Sequence, residues 1–483
     1  MNATTNEPEL LQFWESEKTK PKVESVSGEA TRALKHAYDR DFAAILQKPF
    51  CSRDQIRASQ FERIQHLVKM AFTSIPVYRR KYDAVGFEPG DLRTWEDFEQ
   101  LPPITKEELI AAFPHDCLNP RWAIEDLFST RSSGSSGRTL LIKVDLNAIV
   151  VDTLQGFRAF WLQTGLKYSA SHLAAHIYTV PWWFDSVGRD FNNAFISSLN
   201  PAERTSDILR EIRPRVISCY PTNLRALVPR WKEFAHEGLY GVIVHSEAST
   251  ALERQRWSDE IGVPVVDEYS SEEGTRMALE LPCGHYHVHE DAVYLEALEP
   301  GTLRPQERGM PGVVAVTNLL NEAMPFIRYL QGDFVTRPVV EEPCLCGWSQ
   351  LASINGRVND AFHNAAGEEV PAGTLLDVTY RWMYDIGVNI QEFELVQTAP
   401  DRIRATFQVG NGVPSDKISV SSEHLADLLE VCLGCRVQLE TIITKEFPKR
   451  AGKRRPIRRE FTTSDDIYRD AVEASSRVLT VTS

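Results

Sequence analysis

The run SSGSSGR, from Ser132 to Arg138, is the segment whose residue types point most directly to chemistry. Glycines let backbone N–H groups approach phosphate oxygens closely, while serine hydroxyls add donors and the arginine adds positive charge. The pattern G-x-x-x-x-G-K-S/T is absent here, so the run is not a Walker loop. It predicts a phosphate-cradling loop, with a flexible Gly/Ser surface turn as the alternative.

A second group consists of cysteines and histidines in CGHYHVH, which begins at Cys283, and in CLC, which begins at Cys344. Thiolates with imidazoles are the ligands that tetrahedral Zn²⁺ prefers. The alternating histidines 285, 287 and 289 also suit one face of an exposed strand. A metal site and a polar strand face therefore both stay open. Cys432 and Cys435, in CLGC at the end of a predicted helix, are expected to be packing residues.

The third segment is KEFPKRAGKRRPIRRE, from Lys445 to Glu460, with eight basic residues against two acidic ones. Such a run is usually a solvated face or a nucleic-acid patch. The whole chain is acidic, however, since 53 basic and 67 acidic side chains give a net charge of −14. That balance argues against a generic polyanion binder, so no nucleic-acid partner is expected.

Length and composition indicate a folded chain. Its 483 residues, 42% of them hydrophobic, suggest roughly three units with cores of their own. An uncharged apolar run of about 18 residues is absent, so no membrane partner is expected. The N-terminus MNATTNEPELLQFW lacks the pattern of a signal peptide, and eight cysteines are too few for a disulfide framework. A cytoplasmic location is expected.

The elements that must position these segments change along the chain. Residues 1 to about 115 read as helices and turns, with Thr105 and Glu108 in capping-box spacing. From about 140 to 320, the runs HLAAHIYTV, RVISCYP, YGVIVHSEA and VPVVDEYS alternate with helical segments, which favours parallel pairing. The runs VYLEAL and GVVAVTNLL are expected to pair antiparallel. After about residue 358, strands QEFELVQ, RIRATFQVG and VQLETIIT with helix EHLADLLEVC suggest a smaller α+β unit.

Four segments in order carry a family resemblance. SSGSSGR resembles the Thr/Ser-rich phosphate loop of adenylate-forming acyl and aryl acid ligases. DEYSSEEG (267–274), PFIRYLQGD (325–333) and INGRVND (354–360) resemble that family's later motifs. Within the superfamily, IPVYRRKYDAVG, YPTNLRAL and VIVHSEAST are similar to segments of phenylacetate-CoA ligases. The resemblance spans about residue 60 to about residue 460.

The resemblance implies an α/β fold in two parts. A large N-terminal adenylation domain with a helical opening, residues 1–358, would bind ATP and the acid. A small mobile α+β lid, residues 359–460, would rotate between two half-reactions, followed by a tail, residues 461–483.

Residue roles follow from the matched motifs. The resemblance implies that Tyr269 packs against adenine, that Glu273 binds Mg²⁺, and that Asp333 binds the ribose hydroxyls. Arg357 lies on the ribose side, and Lys453 of AGKRRP lies beside the α-phosphate, with Lys445 and Lys449 as alternatives. The other expected nucleotide-binding residues are Ser132, Ser133, Gly134, Ser135, Ser136, Gly137, Arg138, Ser246 and Glu247.

The resemblance also bears on the cysteines. Relatives carry a cysteine and a histidine before a Glu-Asp pair, and a Cys-x-Cys-Gly before the hinge. The implied structural Zn²⁺ ligands are Cys283, His287, Cys344 and Cys346.

This sequence departs from the family pattern at several positions. Ser270 stands in place of a glycine, Glu272 in place of a threonine, and Asn359 in place of the hinge aspartate. The segment AFHNAAGEEVPAG differs from the family's lid sequence, which contacts the second nucleophile.

The sequence allows three functions. The first is ATP-dependent activation of an aryl or arylacetic acid as acyl-AMP and transfer to coenzyme A. The second is a biosynthetic adenylating enzyme that delivers the acyl group to a carrier protein, an amine or another small nucleophile. The third is a zinc-containing nucleic-acid binder that uses the basic run. If Trp182, Trp183 and Phe184 line the acyl pocket, the acid is bulky or aromatic.

Overall fold

The computed structural model describes residues 28–132, 140–178, 192–357, 362–364, 369–370, 372–386, 390–409, 415–445, 447 and 456–460. The N-terminal part is helical, as the sequence predicts. Its helices are α1 (Gly28–Gln47), α2 (Arg53–Ser74), α3 (Pro76–Asp83), α4 (Trp95–Glu99) and α5 (Lys106–Ala112).

Local sequence signals account for these helices. Ser52 and Gln55 form a capping box at the start of α2, which buries the apolar stripe that includes Ile64, Leu67 and Val68. The predicted Thr105–Glu108 capping box is present at the start of α5. The predicted helical character and the start signal at Thr105 are confirmed here.

The middle of the chain alternates strands with helices. The helices are α6 (Leu146–Gln163), α7 (Ala202–Ile212), α8 (Pro221–Leu227), α9 (Trp231–Phe234) and α10 (Ala251–Ile261). The strands are β1 (Phe128–Arg131), β2 (Leu141–Val144), β3 (Ala174–Tyr178), β4 (Asn193–Ser197), β5 (Val216–Cys219), β6 (Gly241–His245), β7 (Val265–Ser271), β8 (Thr275–Glu280), β9 (Tyr286–Val288), β10 (Val293–Leu298), β11 (Pro311–Asn318), β12 (Tyr329–Thr336), β13 (Gln350–Leu351) and β14 (Ser353–Arg357).

Two larger sheets are built from these strands. The first has the order β13-β9-β8-β7-β6-β5-β3-β4 and is parallel from β4 to β7, as the short apolar runs predict. The second is antiparallel, with the order β10-β11-β12-β14, so the predicted antiparallel pairing of β10 with β11 is confirmed. Strands β1 and β2 form a separate hairpin.

The C-terminal part has its own sheet and core. Its elements are β15 (Phe362–His363), β16 (Glu369–Val370), α11 (Ala372–Asp385), β17 (Ile390–Ala399), β18 (Arg402–Val409), α12 (Ser415–Leu433), β19 (Gln438–Thr444) and β20 (Ile457–Arg459). The sheet has the order β19-β18-β17-β20, and its core includes Trp382 and Phe407. Within the part of the chain that is described, no helix has the length and apolar character needed to cross a membrane.

Candidate nucleotide and acyl site

Two of the motif segments meet through a buried hydrogen bond. Tyr269 near the end of β7 donates its hydroxyl to a carboxylate oxygen of Asp333 in β12 at 2.7 Å. The two side chains are almost fully buried, with exposed fractions of 9% and 6%. The residues expected at adenine and at ribose are therefore neighbours.

Glu273 lies in the turn between β7 and β8 and is held at two points. Tyr329 donates its hydroxyl to one carboxylate oxygen at 3.1 Å, and the Asn318 amide donates to the Glu273 carbonyl at 2.8 Å. Burial raises the pKa of the Glu273 carboxyl, and the Tyr329 hydrogen bond opposes that rise. A buried carboxylate of this kind fits a hard oxygen-seeking cation such as Mg²⁺.

The hinge motif lies beside the same strand. Arg357 is the register partner of Asp333 in the antiparallel pairing of β12 with β14. The backbone of Arg357 is thus next to the Asp333 backbone, while its side chain lies outside the described residues.

The residues at the two ends of the predicted phosphate loop, and Thr130 just before it, are held by hydrogen bonds. Ser132 joins the two ends, since its N–H donates to the Leu140 carbonyl and its hydroxyl accepts from the Leu140 N–H, both at 3.0 Å. Thr130 in β1 donates its hydroxyl to Glu272. The remaining loop residues, Ser133, Gly134, Ser135, Ser136, Gly137 and Arg138, lie outside the described residues.

Ser246 and Glu247 follow the carboxyl end of β6. Ser246 has a φ of 68°, a left-handed conformation that costs a non-glycine residue free energy. Glu247 accepts from the backbone N–H and the hydroxyl of Thr222, at 3.0 and 2.6 Å. Glu247 therefore ties this turn to the N-terminus of α8, where backbone donors lack helical partners.

Three rings meet at the carboxyl ends of parallel strands β3, β5 and β6. The ring centroids of Tyr178, Tyr220 and His245 are 5.1 to 5.6 Å apart. Burial raises the pKa of Tyr178 to about 12, so its hydroxyl stays protonated at neutral pH. Carboxyl ends of parallel strands are the usual ligand-binding edge of such sheets. The aromatic run Trp182–Phe184 lies outside the described residues.

Arg328 of the PFIRYLQGD motif points into the core. It is 1% exposed and bonds both carboxylate oxygens of Glu296, at 2.9 and 3.1 Å. It also donates to the carbonyls of Glu99 and Leu101. The motif arginine thus joins the N-terminal helical part to the second sheet.

The candidate lysines are only partly described. Lys445 follows β19 and is exposed, whereas Lys449 and Lys453 lie outside the described residues.

The cysteine and histidine segments converge on one cluster. The potential ligand atoms of Cys283, His285, His287 and Cys344 all lie within 4.8 Å of one another. Cys283 Sγ lies 3.5 Å from His287 Nε2, and His285 Nδ1 lies 3.3 Å from Cys344 Sγ. Bond lengths of 2.3 Å to sulfur and about 2.05 Å to nitrogen give an edge of about 3.6 Å in a tetrahedral zinc site. These two sulfur–nitrogen distances are close to the edge of a tetrahedral Cys₂His₂ zinc site.

One histidine of the cluster is oriented by the backbone. His287 Nδ1 lies 3.3 Å from the Trp348 carbonyl, an acceptor, so this nitrogen carries the proton and Nε2 faces the cluster. Burial lowers the pKa of His287, which favours the neutral imidazole that binds metal.

The cluster contains three members of the sequence-based set, Cys283, His287 and Cys344, together with His285. Cys346 packs in an apolar cluster with Ile56 and Trp348. The next residue, Gly347, donates its N–H to the Pro49 carbonyl at 2.7 Å, a contact with the N-terminal part. His289 is also outside the cluster: its Nδ1 lies 3.1 Å from the Arg276 carbonyl.

Sequence reasoning assigned no role to Asn318 or Tyr329. Asn318 is a buried polar residue at the end of a strand that is mostly apolar, and buried polar groups need hydrogen-bond partners. Tyr329 stands inside a recognised motif, but its partner is 56 positions away and only the fold brings them together.

Comparison with known proteins bears on the fold and on the sequence. No protein-family model matches the chain. The chain has the fold of the adenylate-forming CoA ligases: it superimposes on 2-hydroxyisobutyryl-CoA ligase in the postadenylation state in complex with 2-HIB-AMP with a TM-score of 0.71. The match has 19% identity and covers 90% of this chain and 94% of that one.

Its sequence is similar to that of phenylacetate-CoA ligases. An alignment of 326 residues with the Thermus thermophilus enzyme has 26% identity and covers 64% of this chain and 72% of that protein. An alignment of 312 residues with the Escherichia coli enzyme has 23% identity and covers 58% of this chain and 67% of that protein. The resemblance to phenylacetate-CoA ligase-like members of the adenylate-forming superfamily is confirmed.

Proposed function

We propose that the protein activates an aryl or arylacetic carboxylic acid with ATP as the acyl-AMP and then transfers the acyl group to coenzyme A. The observation that carries this proposal is that two separate motifs meet: Tyr269 and Glu273 of the first are hydrogen-bonded to Asp333 and Tyr329 of the second. The similarity to proteins named phenylacetate-CoA ligase supports the choice of reaction.

The chemistry asks for positioning and charge stabilisation. A carboxylate is a poor electrophile because its leaving group would be oxide, so it is first joined to AMP as a mixed anhydride, with release of pyrophosphate. Tyr269 and Asp333 bind the nucleoside, the loop 132–138 donates to phosphate oxygens, and Lys453 neutralises charge that develops at the α-phosphate. Glu273 would hold Mg²⁺, which when bound offsets phosphate charge.

Each part of the chain then has its own role in the reaction. Residues 1–358 form the adenylation domain, residues 359–460 form the mobile lid that carries Lys453, and residues 461–483 are a tail. The separate core around Trp382 and Phe407 supports a lid that folds as a unit. We also place the protein in the cytoplasm, as its sequence suggests.

The ring cluster of Tyr178, Tyr220 and His245 supports an aromatic acid. Aromatic rings pack favourably edge-to-face and offset, and these rings stand at the edge where ligands bind.

The test is a pyrophosphate-release screen over aryl, arylacetic and amino acids, with and without coenzyme A. We expect release with an aromatic acid and a thioester product only when coenzyme A is present. Release without thioester would favour delivery to a carrier protein or an amine. If no acid gives release, adenylation is refuted, and salt-dependent RNA or DNA binding would then favour the nucleic-acid binder.

We further propose that Cys283, His285, His287 and Cys344 hold a structural Zn²⁺. The cluster lies on two chain segments, around β9 and before β13, so a bound ion would pin these segments together. Its ligand edges and the oriented His287 support the assignment.

Zinc content distinguishes this ligand set from the sequence-based one. We expect about one equivalent of zinc in purified protein by elemental analysis, lost in Cys344→Ser and His285→Asn but retained in Cys346→Ser, which serves as the matched control. Loss in Cys346→Ser together with retention in His285→Asn would restore Cys346 as the fourth ligand. Protein without zinc would refute both sets.

A further inference from the structure

Gly156 occupies an unusual position in the middle of α6. Glycine inside a helix costs about 1 kcal/mol relative to alanine, and the surrounding residues of this helix are buried. The structure shows what the missing side chain makes room for. A Cβ placed on Gly156 would lie 2.9 Å from both Cζ and a terminal nitrogen of the Arg276 guanidinium.

The Arg276 guanidinium packs against Gly156 and pairs with two carboxylates. Its terminal nitrogen donates to an Asp152 carboxylate oxygen at 2.7 Å, and its Nε lies 3.3 Å from a Glu268 carboxylate oxygen. Asp152 precedes Gly156 by one helical turn, so both lie on the same face of α6. The guanidinium thus connects α6 with β7 and β8.

The backbone around Arg276 is irregular on both sides. Thr275 has a φ of 56°, a left-handed conformation that is unfavourable for a β-branched residue. The pairing of β7 with β8 shifts register between Tyr269 and Ser270, and Ser270 is the partner of Arg276. Strained conformations persist only where surrounding contacts fix them.

The turn that precedes this strained segment carries Glu272 and Glu273. From the side of the second sheet, Asn318 and Tyr329 hold Glu273. From the side of α6, Arg276 holds the first residues of β8. The two sets of contacts together fix where the Glu273 carboxylate lies.

We propose that Arg276, seated over Gly156, is a positioning residue that sets the β7–β8 turn so that Glu273 can bind the magnesium of Mg-ATP. The inference rests on the proposed function for the identity of the ligand. Arg276 acts through Asp152 and Glu268 and through the backbone of β8, without touching the nucleotide.

The test combines Gly156→Ala, Arg276→Lys and the double variant, with Gly90→Ala as the matched control because a Cβ there meets no atom within 4 Å. Mg-ATP binding is measured by isothermal titration calorimetry at several Mg²⁺ concentrations, and acid-dependent pyrophosphate exchange is measured alongside it. Far-UV circular dichroism reports on folding. The binding readout needs no acid and no turnover.

We expect Gly156→Ala and Arg276→Lys each to raise the Mg²⁺ concentration for half-maximal ATP binding by about tenfold, since small displacements of a positioned group have large effects. The double variant should be no worse than Arg276→Lys, because the narrower lysine leaves space for the added methyl group.

Two results would overturn the inference. The first is that Gly156→Ala folds and needs the same Mg²⁺ concentration for half-maximal ATP binding as the wild type. The second is that the increase in this concentration in the double variant equals the product of the two single increases. If Gly156→Ala does not fold, wild-type Mg²⁺ dependence of ATP binding in Arg276→Lys would overturn the inference instead. Wild-type protein that binds Mg-ATP but releases no pyrophosphate with any acid contradicts the proposed function alone. Absence of Mg-ATP binding would overturn both.

Discussion

Replacement of Lys453 by alanine is expected to abolish acyl-AMP formation while the fold stays intact. The ammonium group is assigned to the α-phosphate, where negative charge develops as the substrate carboxylate attacks. Loss of one such stabilising group costs about 10² to 10³ in rate or more. Acid-dependent exchange of pyrophosphate into ATP measures this step directly.

Lys445→Ala and Lys449→Ala are the matched controls, because these residues belong to the same basic run. Both variants are expected to keep most of the exchange activity. Retained exchange in Lys453→Ala, with loss in one of the controls, would transfer the role to that lysine. Synthetic acyl-AMP supplied with coenzyme A should still give thioester with Lys453→Ala, since the first step is then bypassed.

Replacement of Arg328 by methionine is expected to destabilise the protein strongly. The change leaves Glu296, which is 3% exposed, as a buried charge without its bidentate partner. Removing one partner of a buried ion pair costs about 3–5 kcal/mol, and we expect a loss in this range for Arg328→Met. The free energy of unfolding, measured by urea denaturation followed through tryptophan fluorescence, checks this value.

Two further variants sharpen the interpretation. Arg308→Met removes an exposed ion pair to Glu341 and is expected to cost about 1 kcal/mol or less. Arg328→Met with Glu296→Leu removes both charges and should recover much of the lost stability. Unchanged unfolding of Arg328→Met together with weaker ATP binding would show that this arginine acts on the nucleotide instead.

Local regularities allowed much of the fold to be predicted. The strand runs ending in Tyr178, Cys219 and His245 are short and apolar, and their parallel pairing follows from the helices between them. The capping box at Thr105 needs only residues three positions apart, so its prediction was also reliable.

The site was predictable only in part, because a motif marks a residue without showing what it contacts. The sequence placed Tyr269, Glu273 and Asp333 in one nucleotide site. It gave no reason for the Tyr269–Asp333 hydrogen bond, which joins residues 64 positions apart. It also assigned no role to Tyr178, Tyr220 and His245, which lie at the ends of three separate strands.

The cluster of cysteines and histidines was likewise predictable only in part. Residue types and spacing indicated thiolate and imidazole ligands in the segments around Cys283 and Cys344. Which members meet depends on side-chain direction, and CLC lies outside any strand, so no alternation fixes it. In the fold, Cys346 packs in an apolar cluster next to the Gly347–Pro49 contact, and His285 lies close to Cys344.

By itself, the sequence determined the kinds of element, their order, and the set of motifs that points to adenylate chemistry. These properties depend on residue types and on periods of two to four residues. Only the tertiary structure decided that Arg328 pairs with Glu296 in the core, that His285 joins the cysteines, and that Gly156 makes room for Arg276. Each of these contacts joins residues 32 to 120 positions apart, so packing across the whole domain selects the partner.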